Sequence, residues 1–269
     1  MELEALLDLQ PTHGDSFAGI GREYPWGGLF GGHIVAQALR AAAFTVDDEL
    51  LPHSLRAYFI RRGNNQEQVN YSVDRVRDGR SFCTRRVMAT QQSEAILNLE
   101  ASFQRTEETL DVSPVDLADD FPSPDSLPDA SWSPLFQRRS LEMGEAFLTS
   151  RGGIGRTAAW MRVAQPLQGE LLNRCALAYM SDDLPTESVV NGIPELRRAS
   201  DEGRRFSASL DHTIWFHRPV LAHEWHLYEM SCMNYVNGRG LAHGYVFTAN
   251  GEHVATVAQE TLVRIRPAE

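Results

Sequence analysis

The chain has 269 residues, of which 42% are hydrophobic and 23% are charged, and its formal net charge is −11. This composition is typical of a soluble globular protein, and the length suits one large domain or two of ordinary size. The acidic balance argues against nucleic acid and membrane surfaces as partners, because proteins bind both through basic patches.

The cysteines and the N-terminal segment indicate where the protein works. Cys83, Cys175 and Cys232 lie far apart and form no CxxC motif, so neither a disulfide framework nor a cysteine zinc site is expected. The N-terminal segment is acidic and lacks the basic and apolar regions of a signal peptide. No run of about 18 or more apolar residues is long enough to cross a membrane. We therefore expect a cytoplasmic protein.

The first half of the chain predicts one buried helix followed by strands. Small apolar residues fill residues 31–44, which indicates a helix that is buried nearly all round. Runs with strand-like alternation then begin at His53, Val69, Ser81 and Ala95.

The middle of the chain predicts a linker. Residues 106–140 are rich in Pro, Ser and Asp and show neither helical nor strand periodicity. We therefore divide the chain into an N-terminal unit, residues 1–105, and a C-terminal unit, residues 141–269.

The second half repeats the order of elements found in the first. A helix is predicted over residues 171–181, and strand-like runs begin at Ser209, Trp225, Gly240 and His253.

The two halves can be aligned through their turns. Placing Gly79 on Gly238 gives an offset of 159 (238 − 79), and the same offset places Glu100 on Gln259. One helix followed by an antiparallel meander, twice, predicts an α+β fold in which each sheet wraps around a central helix.

Asp182 is the first candidate functional residue. Leu171, Cys175, Ala178 and Asp182 have the spacing i, i+4, i+7 and i+11, which is one stripe of a helix. A carboxylate on a buried stripe must be hydrogen-bonded or have a raised pKa, and such groups concentrate at functional sites. The alternative is that the helix ends near Ser181 and that Asp182 is a solvated loop acid. The periodicity alone leaves both open.

Seven motifs in the two halves carry a resemblance to a known family. The matching segments are LFGGHIVAQAL from Leu29, HSLRAYFIRRG from His53, VRDGRSFCTRRV from Val76, EASFQ from Glu100, AYMSDDL from Ala178, SLDHTIWFHRP from Ser209 and VAQE from Val257. In this order they resemble the type II acyl-CoA thioesterases of the bacterial thioesterase B kind, over roughly residues 27–104 and 156–264. That resemblance implies a double hot dog fold.

The resemblance also implies a catalytic set. In that family an Asp, a Thr or Ser, and a Gln of the second repeat hold and activate water, and these fall on Asp182, Ser209 and Gln259. The implied reaction is hydrolysis of acyl-CoA to free fatty acid and CoA, without a metal or a bound cofactor. The chain has no GxSxG motif, so an acyl-serine route is not expected. Backbone N–H groups near the start of the first helix are the expected oxyanion donors.

Several polar residues in the second half have structural interpretations. Asp211, His212 and His217 resemble acid/base partners, but strand alternation places Asp211 and His212 on opposite faces, so we do not expect them to catalyse. Asp211, two positions after Ser209, is expected only to support the site. His223 and His226 are three positions apart, but no third ligand lies nearby in the sequence, so no metal site is expected.

Glycines and arginines of the first half have similar interpretations. Gly27, Gly28, Gly31 and Gly32 precede a helix without the spacing of a dinucleotide fingerprint, and we expect them to allow close backbone packing. Most of the arginines are expected to be solvated, while one or two suit CoA phosphates: Arg61, Arg62, Arg77, Arg80, Arg85 and Arg86.

Two other functions stay open at this point. A hot dog hydratase or dehydratase would pair a His with an acid across its site, and a non-catalytic protein would only bind acyl-CoA. Glu100 is expected to lie on a surface or an interface, because it has no partner hydroxyl. Exposed sheet edges favour a homo-oligomer.

Overall fold

The structure is a computed structural model that describes residues 2–117, 121–141 and 155–267. Its helices are α1 (Leu3–Leu7), α2 (Gly31–Ala43), α3 (Gly169–Ser181), α4 (Pro185–Asn191) and α5 (Pro194–Asp201). Its strands are β1 (Gln10–Pro11), β2 (Ser16–Gly19), β3 (Leu50–Phe59), β4 (Val69–Asp78), β5 (Phe82–Gln91), β6 (Glu94–Arg105), β7 (Phe136–Ser140), β8 (Gly155–Val163), β9 (Arg205–Ser209), β10 (Asp211–Phe216), β11 (His226–Val236), β12 (Arg239–Thr248) and β13 (His253–Ile265).

The described strands form one antiparallel sheet that is symmetric about its centre. Its order is β1-β2-β4-β5-β6-β3 in the first half and β10-β13-β12-β11-β8-β7 in the second, and β9 pairs with β13 outside this path. The second half thus repeats the first in mirror-image order along the sheet. This confirms the predicted α+β class and the double hot dog arrangement, in which each half of the sheet covers a central helix.

The two halves meet through β3 and β10. Leu55 pairs with Ile214, which lies 159 positions later (214 − 55), so equivalent residues of the two repeats face each other. Ser54 pairs with Trp215 on one side of this point, and residue 56 pairs with residue 213 on the other. Such self-complementary pairing is the geometry of a two-fold symmetric interface. Here it lies within one chain.

The last strand of each repeat departs from the predicted offset. Ala101 of β6 pairs with Leu55, and Val257 of β13 pairs with Ile214. Ala101 and Val257 are therefore equivalent, although they are only 156 positions apart (257 − 101). The β12–β13 hairpin is thus three residues shorter than the β5–β6 hairpin.

This change of register corrects one part of the sequence alignment. Gln259 is structurally equivalent to Phe103, not to Glu100. Phe103 and Gln259 are both fully buried, whereas Glu100 is exposed. The turn motifs could not predict this, because they align the strands that enter the hairpin and carry no information about its length.

The structure contains the two buried helices that the sequence predicts. Both α2 and α3 have thirteen residues, and most of their side chains are buried between the sheet and each other. Small side chains make this possible, since Ala and Gly let neighbouring backbones approach closely. The repeats differ after the helix: α2 leads directly to β3, whereas α4, α5 and β9 lie between α3 and β10.

Part of the segment predicted as a linker is structured. Residues 106–140 contain a short 3-10 turn, Pro124–Ser126, and strand β7, which pairs with β8. Residues 118–120 of this segment lie outside the described residues. None of the helices in the described part of the chain has the length and apolar character needed to span a bilayer.

Candidate active site

Asp182 occupies the end of the central helix of the second repeat. α3 ends at Ser181, and Asp182 is its C-cap, with φ −81° and ψ −2°. The helix therefore ends where the alternative interpretation predicted. Asp182 is nevertheless only 8% exposed, so it is not a solvated loop acid.

The carboxylate of Asp182 is held by the first repeat. The backbone N–H of Gly32, in the first turn of α2, donates to Asp182 Oδ2 over 2.8 Å. The first N–H groups of a helix lack partners within it and carry the positive end of the helix dipole, so they suit an anion. Asp182 thus caps a helix from which it is separated by 150 residues in the sequence.

Two glycines make this close approach possible, as predicted. A Cβ on Gly31 would lie 2.5 Å from Asp182 Oδ2, and a Cβ on Gly32 would lie 2.1 Å from the carbonyl oxygen of Tyr179. Real Cβ atoms do not tolerate such distances. Glycine at both positions therefore lets the start of α2 meet the end of α3.

The other two candidate residues lie beside Asp182. Ser209 ends β9, and its Oγ donates to Asp182 Oδ1 over 3.4 Å. Gln259 lies on β13, and its Nε2 donates to Ser209 Oγ over 2.9 Å. The structure thus brings together Asp182, Ser209 and Gln259.

Burial changes the acidity of Asp182. Removal from water raises the pKa of this carboxyl from 3.8 to about 7, because desolvation disfavours the charged form. Hydrogen bonds from Gly32, Gln259 and Ser209 act in the opposite direction. A carboxylate with a pKa near neutrality can accept a proton and release it again at physiological pH.

His212 and Ser181 add to the polar cluster of Asp182, Ser209 and Gln259, to which His212 is hydrogen-bonded through Gln259. His212 Nδ1 lies 2.5 Å from Gln259 Oε1, and His212 Nε2 lies 2.8 Å from Ser181 Oγ. His212 is fully buried, and burial lowers its pKa to about 4, so it is neutral at physiological pH. The sequence pattern predicts no catalytic role for His212, and strand alternation places it only on the face opposite Asp211.

Asp211 and His217 lie outside this polar cluster. Asp211 is half-buried, and its Oδ1 accepts the backbone N–H of Glu260 over 2.6 Å. His217 is exposed and hydrogen-bonds Thr256. Asp211 and His212 do point to opposite faces, as the strand pattern predicted.

Residues of the predicted linker contact the neighbour of Asp182. Trp132 Nε1 donates to Asp183 Oδ1 over 2.6 Å, and Arg138 lies 3.3 Å from Asp183 Oδ2. Burial raises the pKa of Asp183, and the charge of Arg138 opposes this. Trp132 also packs within an aromatic cluster formed with Tyr24, Trp26, Phe30 and Phe136. Nothing in the sequence pattern of the linker indicated this role.

The arginines differ from the expectation at one position. Arg85 is buried, where it forms an ion pair with Asp78 and donates to Thr45. It is therefore a structural residue and not a solvated one. The other five are exposed: Arg61, Arg62, Arg77, Arg80 and Arg86.

Of the two histidines considered as metal ligands, His226 has another partner. His226 is buried, and its Nδ1 hydrogen-bonds the backbone oxygen of Glu224. Within residues 2–117, 121–141 and 155–267, no group of three or more His, Cys, Asp or Glu side chains is arranged to hold a metal ion.

The fold and the buried carboxylate between the repeats define a class: double hot dog proteins with a candidate catalytic carboxylate at the junction. Known families agree with this class. Residues 22–104 match the acyl-CoA thioesterase N-terminal domain, and residues 114–263 match the acyl-CoA thioesterase C-terminal domain.

Individual proteins resemble the chain over nearly its whole length. It is 32% identical to acyl-coenzyme A thioesterase 8 of Homo sapiens, over 97% of this chain and 88% of that protein. It is 30% identical to acyl-CoA thioesterase 2 of Haemophilus influenzae, over 96% of each. The crystal structure of acyl-CoA thioesterase II TesB2 from Mycobacterium marinum superposes with a TM-score of 0.85 at 36% identity, over 99% of each chain. The chain therefore belongs to the type II acyl-CoA thioesterase family, and it is a thioester hydrolase.

Proposed function

We propose that the enzyme hydrolyses acyl-CoA to free fatty acid and CoA, using a water molecule that Asp182 activates and that Ser209 and Gln259 position. The observation that carries this proposal is the buried carboxylate of Asp182, whose pKa is raised to about 7 and whose Oδ1 faces Ser209. The substrate class is that of the relatives, which are acyl-CoA thioesterases. A cytoplasmic setting and a homo-oligomeric assembly stay predictions.

The proposed reaction needs one base and no covalent bond between the acyl group and the enzyme. Asp182 removes a proton from water as the water oxygen attacks the thioester carbonyl carbon. The tetrahedral intermediate then collapses, the C–S bond breaks, and the proton held by Asp182 passes to the CoA thiolate. A base with a pKa near the working pH serves both proton transfers well.

Ser209 and Gln259 orient the water in this proposal. A hydroxyl both donates and accepts, and a primary amide offers two N–H groups and a carbonyl oxygen. Their fixed arrangement beside Asp182 holds the nucleophile in line, which reduces the entropy lost on reaching the transition state. Ser in place of the more familiar Thr keeps the hydroxyl, so we expect it to function.

The first turn of α2 is the proposed source of oxyanion stabilisation. This turn lies next to the carboxylate of Asp182, to which Gly32 donates a hydrogen bond. The positive end of the helix dipole favours the negative charge that develops on the carbonyl oxygen.

The hydratase alternative is not favoured by the geometry. That chemistry needs a His paired with an acid across the site, whereas His212 hydrogen-bonds Gln259 and Ser181. The binding-protein alternative conflicts with membership in a family of thioester hydrolases.

The proposal is tested by thiol release from a chain-length series of acyl-CoAs. Ser209→Ala and Gln259→Ala should each lower kcat, by about 10–100-fold, because one positioning hydrogen bond is lost. Ser209→Thr should stay active, since it keeps the hydroxyl. Full activity of either Ala variant would contradict the proposed set, and so would a folded but inactive Ser209→Thr variant.

A further inference from the structure

The polar side chains around Asp182 form one continuous hydrogen-bonded chain. It runs from Ser181 through His212, Gln259 and Ser209 to the carboxylate of Asp182. In each of these contacts, one partner donates the hydrogen and the other accepts it. A group that carries no hydrogen can act only as an acceptor, and it therefore fixes the donor and acceptor roles of its neighbours.

The carboxylate sets that direction when it is ionised. An ionised Asp182 only accepts, so Ser209 must give it its single hydroxyl proton and must accept from Gln259. Gln259 meets this need with its Nε2 facing Ser209, which leaves its Oε1 facing His212. Because Oε1 is an acceptor, His212 must carry its proton on Nδ1.

The opposite tautomer of His212, with its proton on Nε2, would exchange donors and acceptors along these hydrogen bonds. Ser181 Oγ also lies 3.1 Å from the carbonyl oxygen of Ala178, so the serine can accept from a protonated Nε2 and donate to Ala178. Ser181 alone therefore does not select the tautomer. An unprotonated Nδ1 is an acceptor, so the amide of Gln259 would turn its N–H towards His212. The amide oxygen would then face Ser209 and compete with Asp182 for the hydroxyl proton.

We propose that His212 is a positioning residue for hydrolysis: its Nδ1–H holds the amide of Gln259 with Nε2 towards Ser209, which keeps Ser209 donating to Asp182. This inference rests on the proposed function above. His212 is fully buried, and both ring nitrogens contact protein atoms, so it acts through Gln259 and not on the substrate.

The test measures kcat and KM by thiol release with the acyl-CoA that the wild-type enzyme hydrolyses fastest. His212→Phe removes the Nδ1–H and should lower kcat about 10–100-fold while KM changes by less than about twofold. His212→Asn offers a side-chain N–H near the position of Nδ1 and should recover most of the lost rate. His217→Phe is the matched control, since His217 lies outside the polar chain, and it should keep wild-type kcat.

A double variant separates positioning from general damage to the fold. In a Gln259→Ala background there is no amide to hold, so adding His212→Phe should lower kcat by less than about a further twofold. A purely structural role would lower kcat by the same factor in both backgrounds. That result would overturn the inference, as would a folded His212→Phe variant within about threefold of wild type.

If His212→Phe does not melt cooperatively, its kcat does not report on positioning, and a second pair of variants tests the role of His212 instead. His212→Asn keeps an N–H towards Gln259, whereas His212→Gln reaches towards Ser181 and leaves Gln259 Oε1 without its donor. The Asn variant should be at least about tenfold faster; equal rates would overturn the inference. If Gln259→Ala itself keeps wild-type kcat, the proposed catalytic set fails. If only the His212 variants are unimpaired, the inference alone fails.

Discussion

The two repeats share a scaffold but differ at the end of their central helices. α2 and α3 have equal length, and the residue that caps the C-terminus is Phe44 in the first repeat and Asp182 in the second. Phe44 stacks on Phe17 and lies beneath the guanidinium of Arg40. Asp182 is buried against the N–H of Gly32. The same backbone position therefore serves apolar packing in one repeat and a carboxylate of raised pKa in the other.

The strands show the same contrast. Phe103 fills the core at the place where the second repeat has Gln259, and the segment that carries Ser209 has no counterpart between α2 and β3. The fold thus supplies two equivalent positions, and local side chains decide which one can hold a polar site. Function belongs to the site rather than to the fold.

The largest expected effect on kcat is at the C-terminal end of α3, and the matching end of α2 should show little effect. Asp182→Asn should lower kcat by roughly 10²–10⁴-fold, because the proposed general base is lost while the hydrogen bond from Gly32 can remain. The equivalent change in the first repeat, Phe44→Ala, should leave kcat within about threefold of wild type. Thiol release compares the two variants, and equal losses would contradict the functional difference between the repeats.

The first residues of the two helices provide a crossed test. A Cβ at Gly31 would displace the Asp182 carboxylate, so Gly31→Ala should lower kcat at least about tenfold, since misplacement by 1 Å can cost as much as 10²-fold. Gly169, the equivalent first residue of α3, has a φ of +77° and open space around its Cα. Gly169→Ala should lower stability by about 1–2 kcal/mol and leave kcat within about twofold. Denaturant melts and thiol release would show any departure from this crossed pattern.

The raised pKa of Asp182 predicts how stability depends on pH. Folding raises this pKa from 3.8 to about 7, so the folded protein holds the proton more tightly than the unfolded chain. The stability contributed by that proton is complete below about pH 4 and is lost as the pH rises to about 7. Asp182→Asn cannot lose it, so its free energy of unfolding should exceed that of wild type by more at pH 8 than at pH 5. A difference that does not change with pH would contradict the raised pKa.

The smallest expected effect is at Glu100. It is exposed, and the strand register does not place it opposite the proposed catalytic set. Glu100→Gln should therefore keep at least about half of the wild-type kcat, a difference of only ~0.4 kcal/mol in the barrier. A loss as large as that of Asp182→Asn would show that the first repeat also contributes a catalytic acid.

Much of the fold could be predicted because it depends on local pattern. Buried helices are evident from runs of small apolar residues, and the duplication is evident from repeated turns. The turn motifs do not show that the second hairpin is three residues shorter than the first, so a constant offset of 159 places Glu100 on Gln259. Strand pairing decides that question, since a shift in register changes which side chains face inward.

The candidate site was less predictable because its contacts are distant in sequence. The carboxylate of Asp182 depends on an N–H group of the other repeat, and Asp183 depends on Trp132 from the predicted linker. Periodicity could indicate that Asp182 lies near buried residues. It could not indicate which groups surround the carboxylate, because these meet only when the two repeats pack together.

The pairing of β3 with β10 has a consequence for how the enzyme behaves on dilution. In a dimer of two identical chains, the junction would dissociate as the concentration falls, and each substitution would appear on both sides of the axis. Here one covalent chain holds both strands, so the effective local concentration of one half for the other does not depend on the amount of protein. The same covalent link allows residue 103 to be a phenylalanine while its counterpart, residue 259, is a glutamine. As far as this junction is concerned, activity per molecule should be the same in a dilute assay and in a crowded cell.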